Sequence, residues 1–78
     1  SNSSASNQDE SKLQSAINKA SSLIDQAQGL ISEGNLTDSQ ATKLQKSMQN
    51  TQNAIDNANY SNIVKYGKQL QELIAKYS

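Results

Sequence analysis

Hydrophobic positions along the chain fall into three helical stripes separated by two short polar breaks. Leu13, Ile17, Ala20, Ile24, Ala27 and Ile31 are spaced 4, 3, 4, 3 and 4 residues apart, and Ala16, Leu23 and Leu30 flank them at seven-residue intervals. That rhythm returns to one side of an α-helix at every turn and predicts a first helix over residues 9–33. Gly34 follows the stripe, and glycine supplies the left-handed conformation that commonly ends a helix. At the other end, Asn7 and Glu10 have the spacing of an N-terminal capping box.

The next start signal is sharper. Thr37-Asp38-Ser39-Gln40 reads as S/T-x-x-E/Q, in which the Thr37 hydroxyl and the Gln40 side chain each satisfy the other residue's backbone amide. Leu36 before the cap and Ala41 after it form a modest hydrophobic staple, and Asp38 complements the helix dipole. Ala41, Leu44, Met48, Thr51, Ile55 and Ala58 continue at intervals of 3, 4, 3, 4 and 3, with Thr51 interrupting the seam, so a second helix is predicted over residues 38–58. Asn57-Ala58-Asn59-Tyr60 reads as a turn, and Ser61 as the cap of a third helix over residues 62–77. Its apolar face is carried by Ile63, Tyr66 or Gly67, Leu70, Leu73 or Ile74, and Tyr77. Gly67 costs about 0.8–1 kcal/mol against alanine inside a helix, which suggests a neighbouring helix approaching closely there.

Three helices joined by short turns alternate in direction and can bury their stripes only against one another. The expected fold is therefore all-α, an up-down-up antiparallel three-helix bundle over residues 9–78. Period-two alternation is missing and valine occurs once, so a strand reading has no support. Residues 1–8 hold one alanine and no other apolar group, too little to offset the entropy of ordering, and are expected to be a disordered tether. The near-heptad first stripe would permit a helical dimer; the explicit turns favour a monomer.

Composition narrows the chemistry. Ser (13), Asn (9) and Gln (10) supply 32 of the 78 residues, whereas apolar residues are 33%, eight of them alanine, so the core must be small and the domain marginally stable. Cysteine and histidine are absent, which excludes a disulfide, the usual zinc sites and a Ser–His or Cys–His nucleophile pair. The carboxylates at 9, 10, 25, 33, 38, 56 and 72 match no ligating motif, and Glu33 and Asp38 at the first turn read as helix-end charges in water. Ser15–Lys19 and Thr42–Lys46 lie one turn apart but off the seam, without the burial an activated hydroxyl needs. No enzyme activity and no cofactor are expected. Seven lysines against seven acids leave zero net charge, which argues against a nucleic-acid partner. No stretch approaches the roughly 18 apolar residues of a membrane span.

The expected role is contact with another protein, or service as a spacer. The polar face of the second helix is neutral and amide-rich, with Gln45, Gln49, Asn50, Gln52, Asn53 and Asn57. Ile63, Val64 and Ile74 cannot all face one narrow seam, and with Tyr60 in the turn they are the candidate partner contacts. Tyr66 and Tyr77 are expected at the edge of the bundle with their hydroxyls in water.

Two resemblances bear on the setting. The helix–"EGNLTDSQ"–helix–"AIDNANYSNIVKYGKQLQELI" order over residues 10–77 resembles the C-terminal helical lid of Hsp70 chaperones, although those lids are rich in Glu and Lys; three-helix geometry is what that resemblance implies. The "LxxAIxxAxxLI" run over residues 13–24 resembles the first helix of FIVAR-like modules on Gram-positive surface proteins, which serve as spacers or adhesion and binding modules. The opening "SNSSASNQDE" is similar to the segment after the lipid-modified cysteine of bacterial lipoproteins. Together they lead to the expectation of a non-enzymatic extracellular or cell-surface module of a bacterial surface protein or lipoprotein. It would touch the membrane only through an N-terminal lipid anchor. The alternative is an intracellular adaptor or chaperone-lid-like module binding a partner peptide.

Overall fold

Local chemistry sets where each helix begins and stops. In the computed structural model, the backbone is described from residue 3 and the side chains from residue 10. It forms α1 (Ser3–Glu33), α2 (Asp38–Asp56) and α3 (Tyr60–Tyr77), with no strand among the described residues. The side chains of residues 1–9, where the tether is expected, lie outside those described; α1 already includes Asn7, so the expected Asn7–Glu10 capping box does not mark its start. At the end of α1, Gly34 adopts φ +74° and its N–H donates to the Ile31 carbonyl at 3.1 Å. The capping box at α2 forms as the sequence predicts: the Gln40 N–H donates to Thr37 Oγ1 at 3.1 Å, and the Thr37 N–H to Gln40 Oε1 at 3.0 Å.

The second turn is tighter than the sequence suggests. α2 ends at Asp56, two residues before the expected 58, and α3 begins at Tyr60, two before the expected 62. Ala58 takes a left-handed conformation at φ 52°. The Asn59 N–H reaches back to the Ala54 carbonyl at 3.1 Å and the Ala58 N–H to that of Ile55 at 2.9 Å. This is a Schellman closure with alanine in the place glycine usually holds. Asn59, not Ser61, then caps α3, its Oδ1 accepting from the Asn62 N–H at 3.1 Å. Asparagine caps as well as serine does, and the reversal at Ala58 brings the cap forward by two residues.

Packing divides into two apolar layers. The upper layer joins Leu23 and Ala27 of α1, Leu44 of α2, and Leu70 and Ile74 of α3, with Leu30, Met48 and Tyr77 against it. The lower joins Ala20, Ala54 and Ile63, with Leu13, Ile17, Ile55 and Tyr66 against it. Early α1 thus meets late α2 and early α3, and late α1 meets early α2 and late α3, so the topology is up-down-up. The molecule measures 52 × 16 × 16 Å, a length that α1 dominates at 31 residues. Among the described side chains of α1, Leu13 is the first packed in a core layer.

α2 presents a different line from the one its large apolar residues suggest. Its buried residues are Leu44, Ser47, Thr51 and Ala54, while Met48 and Ile55 are half-buried and Ala58 is exposed. The helix is turned so that small side chains face the axis and Met48 and Ile55 lie on a flank. Thr51 is fully buried near mid-bundle, and its hydroxyl donates to the Ser47 carbonyl at 2.8 Å. The Ser47 hydroxyl is buried with no hydrogen-bond partner.

Candidate functional site

α1 and α3 run parallel, and the space between them holds a groove of about 270 Å³. Its floor is apolar: Ala16, Ala20 and Leu23 from α1, and Ile63, Val64 and Gly67 from α3. Lys19 stands on the α1 side, Lys68 and Gln71 on the α3 side, and among the described residues no acidic side chain lines it. The groove exists because small residues face each other there. Ala16 and Ala20 recur at one helical turn, and Gly67 lacks a side chain altogether. The close approach expected at Gly67 is not present. A Cβ built on Gly67 would find Leu23 Cδ1 at 4.0 Å, ordinary contact distance, so this glycine leaves room where the sequence suggested crowding.

The four candidate contact residues divide between core and surface. Ile63 is 1% exposed and Ile74 9%, and both belong to the core layers. Neither is an exposed apolar position, although Ile63 also reaches the groove floor. The reason is helical phase: Ile63, Gly67, Leu70 and Ile74 recur at 4, 3 and 4 residues and form one seam. Val64 lies about 100° further around the helix and is 48% exposed at the edge of the groove. Tyr60 is 38% exposed and is the first residue of α3, not part of the turn. Lys12 of α1 holds its ammonium 5.1 Å from the Tyr60 ring centroid. Tyr66 and Tyr77 are half-buried, as expected for the edge of the bundle, and Lys65 Nζ lies 5.4 Å from the Tyr66 ring.

A second, more open depression lies between α2 and α3, lined by Lys43, Lys46, Lys76 and Glu72 with polar neighbours and Leu73. Together the two grooves flanking α3 hold five of the seven lysines, and of the described acids only Glu72. Zero net charge therefore conceals a basic side of the molecule around α3. Summing charge by type discards position, which is why the sequence reading missed it. The remaining surface is amide-rich and partly satisfies itself along the helices. Gln14 Nε2 donates to Asn18 Oδ1 at 3.0 Å, and Gln52 Nε2 to Asp56 Oδ1 at 2.9 Å.

The chain matches no family model, no curated protein and no solved structure.

The residues singled out in the sequence for other chemistry lie as follows. Ser15, Lys19, Thr42 and Lys46 are all exposed, so neither Ser–Lys nor Thr–Lys spacing becomes an enclosed pair. Glu33 and Asp38 are exposed at the first turn. Among the described residues no three His, Cys, Asp or Glu side chains come together in a way that could hold a metal ion. Among the described residues no helix is long and apolar enough to cross a membrane.

Proposed function

We propose that this chain is a non-enzymatic helical module of a bacterial surface protein or lipoprotein, acting by protein contact at the cell envelope through its α1–α3 face. The observation that carries the reading is Val64, nearly half exposed at the edge of an apolar groove on an otherwise amide-rich surface. Val64 alone would be ordinary, but it is continuous with a concave apolar floor, and a contiguous apolar surface of that kind supports cover by another molecule. The envelope setting draws on the Ser- and Asn-rich residues 1–8 and on the resemblance of residues 13–24 to Gram-positive surface modules.

Site-directed photo-crosslinking in the source cells, followed by fractionation, tests both parts. A crosslinker at position 64 should give a discrete adduct in the envelope or secreted fraction, and one at exposed Gln52 of α2 should not. Equal adduct patterns from both positions would remove the contact face. Recovery of the protein and its adduct solely from washed cytosol would replace the envelope setting with an intracellular adaptor.

A further inference from the structure

We infer that the α1–α3 groove takes an acidic amphipathic helix, a partner segment whose apolar ridge lies on the groove floor and whose Asp or Glu residues meet the lysines on either side. The inference rests on the contact reading above and adds the chemistry of the partner. Three observations lead to it. The floor is apolar and runs from Ala16 to Leu23 along α1, about 10 Å at the rise of a helix, which matches two turns of a docked helix. Lys19 and Lys68 stand on opposite sides of that floor, and among the described residues no acidic side chain lines it. Lys12 lies seven residues before Lys19 on the same side of α1 and extends the basic line towards Tyr60, which is itself exposed.

The rival occupants fit less well. A second copy docked on the same face by two-fold symmetry would bring Lys19 and Lys68 against their own counterparts, and like charges so placed are unfavourable. Nucleic acid would use the lysines but leave Val64 and the apolar floor without a partner. The α2–α3 depression is the more open of the two, and Glu72 stands among its lysines beside its one apolar lining residue, Leu73, so it suits an acidic apolar ridge less well.

Amide-resolved NMR titration of the full chain is the test. The probe is a synthetic helical peptide with leucines at i, i+3, i+4 and i+7 and glutamates flanking that stripe. Its counterpart keeps the leucines and carries lysines instead. The glutamate peptide should shift the amides of Ala20, Leu23, Val64 and Gly67 saturably. Its affinity should fall as salt shortens the screening length, and drop about tenfold or more in the Lys19→Glu/Lys68→Glu variant. Both lysines are exposed, so the variant should keep the wild-type helical signal and melting profile. The variant should also gain affinity for the lysine peptide.

Equal binding of both peptides at these amides would overturn the acidic partner while leaving the contact face standing. Absence of groove shifts with either peptide would overturn the contact reading as well. Stronger shifts of the same amides with a DNA duplex, or on concentrating the protein alone, would replace the helix with nucleic acid or a second copy.

Discussion

Ser47 shows how a single polar atom departs from what its position asks. It occupies a core position of α2, yet its hydroxyl is buried and unpaired, while its own carbonyl accepts from Thr51. A buried hydroxyl without a partner carries a desolvation cost of about 1–3 kcal/mol, and serine is also a poorer helix former than alanine. Ser47→Ala is therefore expected to raise stability by about 1 kcal/mol, seen in thermal unfolding as an increase of roughly 4–8 °C. An unchanged or lower midpoint would mean that the hydroxyl finds a partner in solution. Gly67 makes a similar case in backbone terms. A methyl there meets nothing closer than 4.0 Å, so Gly67→Ala should stabilise α3 by about 1 kcal/mol through helix propensity alone. The same methyl would raise the groove floor, so the variant should melt higher and bind the glutamate peptide more weakly. Neither residue was legible from spacing: a serine on a helix reads as surface, and a glycine as crowding, until its neighbours are placed.

At the scale of elements, the two turns differ in how openly the chain encodes them. Gly34 and the Thr37–Gln40 box are local signals, since each satisfies backbone groups within a few residues, and both are realised. The second turn relies on Ala58, which a sequence pattern assigns to the apolar seam of α2. Its left-handed conformation at φ 52° costs a non-glycine residue about 1–2 kcal/mol, so Ala58→Gly should stabilise by about 1 kcal/mol in chemical denaturation. A loss of stability would argue that Ala58 contributes more through contacts than its conformation costs. α2 is also the element with least to hold it. Leu44 is its one large fully buried apolar side chain, whereas α3 buries Ile63, Leu70 and Ile74. Native-state hydrogen exchange should find the mid-helix amides of α2 less protected than those of α3. The reverse order would show that the Thr51–Ser47 layer is tighter than its polarity suggests.

For the whole molecule, the small core leaves little margin. Removing Leu44, which is fully buried in the upper layer, would cost about 2–5 kcal/mol, much of what a domain of this size commands. The N-terminal end should behave oppositely. Among the described residues Leu13 is the first α1 side chain packed in a core layer, so deleting residues 1–8 should leave the unfolding free energy within about 0.5 kcal/mol of the full chain. A larger loss would show that this end stabilises the bundle. Charge is also a property of the assembled molecule. Lys19 and Lys68 are 49 positions apart in sequence and stand across one groove only because α1 and α3 run side by side.

The sequence alone determined the number of helices, their order and the first turn, because periodicity and capping act within one or two turns of chain. It also delimited the chemistry, since absent histidine and cysteine cannot be restored by folding. Only the tertiary structure decided which side of α2 faces the axis, that Ile63 and Ile74 are core while Val64 stays in water, and that five lysines gather around α3. Those outcomes depend on how three helices rotate to fill their common interior. A helix's own spacing leaves that rotation open by one residue, about 100° of turn, and the neighbouring helices settle it.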